Sequence, residues 1–476
     1  MLSRRSPALV AGAACATLLS AGCVPSLEGV EPREADTKVP AAYAGGRPAE
    51  AAVSSQLSVN EFFTDHQLTA LISQALEHNQ ELQIAGLEIA ISQFEVMARE
   101  GEYLPKIGAL AGAGMAKVGD DTSQGRADEA TRVKKNLPDY GFGLGLSWEI
   151  DVWGKLRNAK DAAARRYLSS VEGRRFLVTT VVAEVATSYY ELLALDNLLE
   201  VLTQNIALQK DALEIVRLQR KVGKVTELAV KRFEAEVLKN QSRLYTVRQQ
   251  INETENRINF LVGKYRQPVA RDSSGFILRA STPLNEGVPS QLLTNRPDVK
   301  QAELELEAAK LDVDVARKRF YPSLGIEAAI GYNSFKASSL VDTPASLAYL
   351  LAARLSQPIW NRKELTATYY TANSKQMQAV VNYERTVLRA YNEVANQLMA
   401  IQNLENGYAM QSQQVARLDE SVGISMDLFR SARADYREVL QTRRDALDAQ
   451  MELIEIKRQQ MCAVVKLYRA LGGGWN

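Results

Sequence analysis

Histidine is almost missing from this chain. His66 and His78 are the whole supply in 476 positions. A histidine-based metal site and a Ser/His/Asp triad are excluded by that inventory. With no activated-nucleophile motif, the sequence reads as a non-enzyme. Cysteine is scarce too: Cys15, Cys23 and Cys462. The first two fall in the N-terminal leader and the third stands alone. Neither a disulfide framework nor a thiolate metal site can be built from them, and no cofactor is expected. Charge of one sign is also lacking. The formal net charge is +1, without the basic excess of a nucleic-acid binder. No phosphate-binding glycine loop occurs. Beyond the leader, no segment reads as the ~20 apolar residues of a transmembrane helix, so crossing a membrane would need a β-barrel. Proline is absent between Pro138 and Pro268 and after Pro358, which leaves room for very long helices.

What is present begins with an export signal. Arg4 and Arg5 precede an apolar stretch from Ala8 to Leu19, too short to span a bilayer. The stretch ends in Leu18-Leu19-Ser20-Ala21-Gly22-Cys23. Small residues before a cysteine resemble the bacterial lipobox, in which the cysteine is acylated and becomes residue one. Leu19 stands four places before Cys23, with Ser20 in the position the usual pattern gives to leucine. Residues 1–22 are thus expected to be a signal peptide, and 23–60 an extended segment lipidated at Cys23. Each buried acyl CH₂ contributes about 0.8 kcal/mol of membrane affinity.

The rest of the chain is a duplication. Shifting the sequence by 217 places Pro105 on Pro322 and Asn79-Gln80-Glu81-Leu82 on Arg296-Pro297-Asp298-Val299. Ala85 falls on Ala302, Leu87 on Leu304 and Val96 on Val313. Further on, Ile150-Asp151-Val152-Trp153-Gly154 corresponds to Gln357-Pro358-Ile359-Trp360-Asn361. Tyr189 and Glu191 correspond to Tyr391 and Glu393. Internal repeats of this kind are the first thing to seek in a long chain.

Each repeat carries two stretches of period-two alternation, the mark of strands. Phe142, Leu144, Leu146, Trp148 and Ile150 alternate with Gly143, Gly145, Ser147 and Glu149. Leu324, Ile326, Ala328, Ile330 and Tyr332 alternate with Gly325, Glu327, Ala329 and Gly331. Leu347, Tyr349, Leu351, Ala353 and Leu355 alternate with residues that include Arg354. The stretch from Lys106 to Lys117 is mostly Ala and Gly. Aromatics sit at both ends of the strands, as in interfacial girdles. Four strands are too few for a closed barrel, whose practical minimum is about eight. Either the sheet is soluble or several chains pool their strands.

Between the strands lie helical runs of great length. Lys155 to Val222 is rich in Ala, Leu, Glu, Arg and Val, about 100 Å of helix at 1.5 Å per residue. Val230, Val237, Leu244, Ile251 and Ile258 recur in sevens, with Asn240 and Thr254 as polar interruptions. Leu440, Leu447, Ile454, Met461 and Tyr468 do the same. Such spacing predicts coiled-coil-like packing of antiparallel helices. The first repeat is therefore expected over about 61–263. It holds a helix, strands near 105–118 and 140–152, and long helices near 153–222 and 226–262. An equatorial segment is expected at about 264–290. The second repeat follows over about 291–476, with strands near 322–335 and 346–359 and long helices near 361–430 and 436–471.

These residues resemble the outer membrane efflux protein family, the TolC-like outer membrane factors, and within it the OprM/NodT lipoprotein branch. The sharpest motif is Asn295-Arg296-Pro297-Asp298-Val299, followed by Ala316-Arg317 and Phe320-Tyr321-Pro322. The Ile359-Trp360 junction and the terminal Leu467-Tyr468-Arg469-Ala470-Leu471-Gly472-Gly473-Gly474-Trp475 fit the same branch. The resemblance implies an α+β membrane protein working as a homotrimer. Each protomer would give four strands to a twelve-stranded outer-membrane β-barrel, continued by a long periplasmic α-helical barrel. It further implies a periplasmic adaptor protein and an inner-membrane pump, of the resistance-nodulation-division type, as partners. The location implied is the outer membrane of a Gram-negative cell.

Two helix-to-helix turns would form the periplasmic tip. One contains Arg220, Lys221, Gly223, Lys224 and Glu227; the other contains Arg430, Ala432, Arg433, Asp435 and Tyr436. As a set they are the candidates for gate and adaptor contacts, and a solvated turn explains any one of them equally well. The family commonly has glycine where this chain has Ala432. Ion pairs between protomers, involving Glu227 and Asp435, would hold the tip closed. Glu184, Glu191 and Glu393 either line the tunnel or are simply solvated. His66 and His78 flank a helix start and read as structural, and Cys462 as a buried small residue. The reading that follows is a passive exit duct for drugs or other small molecules. The alternatives are the exit of a type I protein secretion system and a non-conducting periplasmic scaffold. A lipobox-like cysteine favours the first. A wide passive tunnel selects weakly, so cargo specificity is expected in the pump.

Overall fold

A computed structural model describes residues 24–27, 31–43, 57–279, 287–431 and 433–475. The leader, Cys23 and Ala432 lie outside the described residues. Helices α1 (Val59–Phe62), α2 (His66–His78) and α3 (Gln80–Tyr103) lead into strand β1 (Lys106–Ala116). A short helix α4 (Ser123–Ala130) precedes strand β2 (Leu137–Ile150), and helices α5 (Lys155–Lys221) and α6 (Glu227–Leu261) complete the first repeat. The second runs through α7 (Leu292–Asn295), α8 (Pro297–Lys318), β3 (Ser323–Ser334), β4 (Leu347–Ser356), α9 (Lys363–Arg430) and α10 (Tyr436–Ala470).

The chain divides into two compact units, and both repeats contribute to both. The first unit comprises Met1–Ala35, Ile89–Ser169 and Glu303–Asn382, and holds the sheet. Its strands lie in the order β1-β2-β3-β4, every neighbouring pair antiparallel. β2 and β3 join the two repeats at the centre of the sheet. The outer edges of β1 and β4 have no partner strand among the described residues. Strand β2 begins earlier than its alternation suggests, because Pro138 is accommodated opposite Met115 near the strand's start.

Unit two comprises Asp36–Glu88, Ser170–Ala302 and Tyr383–Asn476. Its main core gathers Phe62, Leu68, Val181, Val185, Tyr189, Leu193, Val465 and Tyr468, all buried. The heptad positions Val230, Val237, Ile258, Leu447, Ile454 and Met461 are buried as their spacing requires. One expectation is corrected. Helix α5 does contain a stretch apolar and long enough to span a membrane. Most of that stretch is buried, and Val181, Val182, Val185 and Leu193 of the same helix pack in this core, so protein and not lipid covers its apolar side chains. Helix starts are fixed by carboxylates. Asp65 accepts from the Gln67 and Leu68 amides at 2.9 and 3.3 Å. Asp151 accepts from Leu156 and Arg157 at 3.0 and 2.9 Å.

The duplication is visible in backbone detail. Gly154 and its counterpart Asn361 both have positive φ, +72° and +53°, a conformation that glycine and asparagine tolerate best. Two residues beyond α6, Gly263 has φ +68°; two beyond α10, Gly472 has φ +89°. A Cβ at Gly263 would lie 2.6 Å from the His78 carbonyl oxygen, and one at Gly472 2.5 Å from that of Asn295. Asn79 donates to the carbonyl of Leu261 at 3.0 Å, and Arg296 to that of Ala470 at 2.9 Å. Each repeat thus closes its last helix with a side chain from the corresponding position.

Candidate functional site

Two regions bear on the sequence expectations, one in each unit. In the sheet, the strand register sorts the side chains into two faces. Ile107, Leu146, Ala328 and Leu351 lie along one rung; Ala109, Leu144, Ile330 and Tyr349 along another. This face continues through Phe142, Trp148, Ile326, Tyr332 and Leu355 and carries no charged residue. It is also uncovered: Ile107, Leu144, Ile330, Tyr349 and Leu351 are all exposed. A contiguous apolar face of that extent demands a partner. The opposite face is built mainly from small residues, Gly108, Gly112, Gly141, Gly143, Gly145, Ala329 and Gly331, with Leu110, Leu137 and Leu350 the large exceptions and Asp139 a charged one. Lys106, Glu149, Glu327 and Arg354 lie on it at the end nearest the helices.

Aromatic side chains stand at that same end. Trp148 donates to the Tyr103 carbonyl at 3.0 Å and Trp153 to the Pro322 carbonyl at 2.8 Å, with the Trp153 and Tyr321 rings 5.3 Å apart. Val24 and Leu27 pack against the cluster of Val313, Ala316, Phe320 and Tyr369, and the Tyr370 hydroxyl donates to the Ser26 carbonyl at 3.2 Å. The residues that follow Cys23 are therefore tied down beside the strand–helix junction.

The second region holds the two turns singled out from sequence. Both rest on one apolar cluster, with Leu213 and Val216 from α5, Val230 and Phe233 from α6, Met426 and Phe429 from α9, and Val439 from α10. Tyr436 packs its ring against this cluster. Gly223 makes the first turn with φ +74°, its amide donating to the Arg220 carbonyl at 2.9 Å. Across that turn Arg220 and Glu227 pair at 2.6 Å. In the second turn Asp435 stands at the start of α10, but its carboxylate faces Arg437 at 2.9 Å and makes no side-chain cap. The Arg437 guanidinium holds the Asp435 carboxyl below the usual carboxylate range. Arg430 pairs with Asp427 at 3.6 Å. Lys221, Lys224 and Arg433 form no ion pair among the described residues.

Both acids that sequence reasoning reserved for contacts between protomers are thus paired within the chain. Arg437 and Asp427 were missed as partners, although the i,i+3 spacing of Asp427 and Arg430 signals a pair. The exposed apolar residues Val222 and Leu228, 70% and 57% accessible, were missed as well. Arg444 of α10 pairs with Glu236 of α6 at 2.7 Å behind the turns, and Lys239 of α6 holds the same carboxylate at 3.3 Å. Of the glutamates considered for a tunnel lining, Glu184 is exposed, Glu191 pairs with Arg257 at 3.0 Å and Glu393 with Arg296 at 3.0 Å. Cys462 is buried. No cluster of His, Cys, Asp or Glu among the described residues could hold a metal ion.

Known proteins match this chain along nearly all its length. The cation efflux system protein CusC of Escherichia coli O6:H1 is 27% identical over 416 residues, covering 87% of this chain and 88% of that protein. The solvent efflux pump outer membrane protein SrpC of Pseudomonas putida is 27% identical over 468 residues, covering 97% of both. The crystal structure of the open state of the Neisseria gonorrhoeae MtrE outer membrane channel superposes with a TM-score of 0.82 at 22% identity, covering 95% of this chain and 98% of that one. The family model for the outer membrane efflux protein matches residues 71–264 and 288–473, one segment for each repeat. The chain belongs to the outer membrane efflux protein family, whose members are outer-membrane channels.

Proposed function

We propose that three copies of this chain pool their sheets into a closed twelve-stranded barrel and work as the passive exit duct of a tripartite efflux system. The observation that carries this is the sheet itself. Its apolar face is bare, its opposite face is made mainly of small residues, and both its edges are open among the described residues. A closed ring of such sheets turns the apolar face to lipid, leaves the small residues inside and removes every edge. The strands, of 10 to 14 residues, are long enough to cross a bilayer when tilted.

Cys23 carries the lipid anchor in this reading. The packing of Val24 and Leu27 against Phe320 and Tyr369, at the strand–helix junction, supports an anchor at the level where aromatic girdles meet lipid head groups. The turns at Gly223 and Ala432 meet a periplasmic adaptor, which joins the duct to an inner-membrane pump of the resistance-nodulation-division type. Lys221, Lys224 and Arg433 give that surface a basic character, and Val222 and Leu228 give it apolar contacts. The duct performs no catalysis and takes no cofactor. Its cargo is a small molecule or ion selected by the pump, as the different cargoes named for CusC and SrpC suggest.

Purified protein in detergent should have the mass of a trimer by light scattering and should conduct ions in planar bilayers. A stable, non-conducting monomer sinks the proposal. The turns have their own test. Removing the Asp435 carboxylate leaves Arg437 unbalanced in a turn whose sequence also carries Arg433, and like charges gathered near a three-fold axis repel. Asp435→Ala should therefore raise single-channel conductance without altering insertion. Unchanged conductance would show that Asp435 serves only its local turn.

A further inference from the structure

On the sheet's small-residue face the ionisable side chains gather at the helix-side end, apart from Asp139, which stands opposite Gly114 near the other end. From Gly108 to Gly114, from Gly141 to Gly145 and from Ala329 to Asn333, that face bears no ionisable side chain. At the helix-side end it changes abruptly. Lys106, Ser147, Glu327 and Ala352 share one rung across all four strands. Glu149, Gly325 and Arg354 share the next. Arg354 pairs with Glu327 at 3.4 Å, and Lys155, the first residue of α5, reaches Glu149 at 2.5 Å. Arg354 and Lys106 are exposed, and Glu327 and Glu149 half-buried. Opposite each of these rungs the other face carries Trp148, Ile326, Ala353 and Leu355.

We infer that Lys106, Glu149, Glu327 and Arg354, with Lys155, form a mixed-charge collar inside the barrel that sets the duct's discrimination between cations and anions. This rests on the reading of the chain as a barrel-forming channel. The physical argument has two parts. Above the collar the face is mostly glycine and alanine, apart from Leu110 and Leu350, and bears no fixed charge until Asp139 near its far end, whereas the collar gathers five long ionisable side chains per protomer. Three cations and two carboxylates nearly cancel, so the intact collar admits both ion signs. A single neutralisation repeats around the ring and unbalances it. Charges lining a bore act on passing ions only within about one Debye length, ~10 Å at 0.1 M salt and ~3 Å at 1 M. The collar therefore governs selectivity at low salt and is silent at high salt.

The test is the reversal potential of the full-length protein in planar bilayers under a potassium chloride gradient. Arg354→Gln should move it toward cation preference and Glu327→Gln toward anion preference, both shifts shrinking toward 1 M salt. Shifts that are absent, or of the same sign in both variants, overturn the inference. A second measurement judges the face without needing current. Ala352→Cys, on the collar rung, should react with a water-soluble charged thiol reagent in proteoliposomes. Its neighbour Ala353→Cys, on the apolar face, should not. Cys462, the one cysteine among the described residues, is 4% exposed and gives little background. The converse labelling pattern refutes the collar's position. If the wild-type protein conducts nothing while Ala352→Cys still labels, the channel reading fails and the face assignment stands.

Discussion

Ile330 and Ala329 are chain neighbours at the same depth in the sheet and on opposite faces, which makes them the sharpest test of the barrel. Ile330 lies on the rung of Leu144 and Tyr349 and is 56% exposed in the protomer. Ala329 lies between Gly145 and Leu350. Both sit near the middle of a 12-residue strand, where a lipid-facing arginine costs about 2–4 kcal/mol. Since 1.4 kcal/mol is tenfold, Ile330→Arg should shift the folding equilibrium by a factor of order 30 to 1,000 per protomer. In a trimer the loss occurs three times. Ala329→Arg faces water and small residues and should cost far less. Refolding into lipid vesicles, followed by urea titration and by heat-modifiable migration on gels, measures the difference. Equal tolerance of the two variants would mean that neither face meets lipid. A larger loss for Ala329→Arg would mean that the faces are reversed. Gly143 would be a poor water-side control. A Cβ there would sit 2.5 Å from the Ile330 carbonyl oxygen and 2.8 Å from the Gly331 Cα, so even alanine would strain the ladder.

Cys23→Ser should abolish incorporation of labelled palmitate while leaving barrel insertion intact, because strand burial supplies most of the membrane affinity; label that persists would put the anchor elsewhere. Asp65 gives a pH signature. Burial pushes its carboxyl up, but hydrogen bonds from Arg279, the Leu68 and Gln67 amides and the Tyr189 hydroxyl outweigh burial and hold it below the usual range. A depressed folded-state pKa contributes stability that is present above the unfolded value and is lost as pH falls through the folded one. Asp65→Asn should therefore be less stable than wild type in urea at pH 7, and the gap should close in acid. A gap independent of pH would show that the carboxylate's charge is irrelevant.

The strand faces were legible because period two leaves no freedom. Once Leu144 points one way, Gly143 and Gly145 must point the other, and the register only had to align four such patterns. Glu227 was legible as an acid in the glycine turn but was assigned to a neighbouring protomer, whereas it pairs with Arg220 across its own turn. The pairing of Asp435 with Arg437 was not legible, because two residues apart on a nascent helix the side chains ordinarily diverge; they meet only because Asp435 is still extended, with ψ 150°. Helix α4 in the β1–β2 connection was hidden by its polar sequence, and Thr122 starts it by accepting from the Gly125 amide at 3.1 Å. The division into two units was invisible for a different reason. Repeats are read along the chain, whereas compactness arises from contacts between segments far apart in it, such as Asn79 with Leu261.

The motif around Arg296 looked like the sharpest signature of function, and the structure gives it a mechanical task instead. Asn79 shows what the bare task requires: one buried amide reaching the last carbonyl of α6 at 3.0 Å. Arg296 does this for α10 and also binds Asp298 at 2.7 Å and Glu393 at 3.0 Å, while itself only 3% exposed. Loss of a single buried hydrogen bond costs about 1–3 kcal/mol, which is the expectation for Asn79→Ala. Removing the cation of a buried ion set costs about 3–5 kcal/mol, because its partners are left charged and unpaired. The two carboxylates keep some contact with water, 15% and 26% exposed, so Arg296→Asn belongs at the low end, near 3 kcal/mol. The triple change Arg296→Asn, Asp298→Asn and Glu393→Gln removes the stranded charges and should recover most of that loss. Urea midpoints of the solubilised protein rank the variants. If Arg296→Asn costs no more than Asn79→Ala, or the triple variant is no better than the single, the ion set contributes nothing beyond the carbonyl bond. The second repeat would then close its last helix by the same single contact as the first.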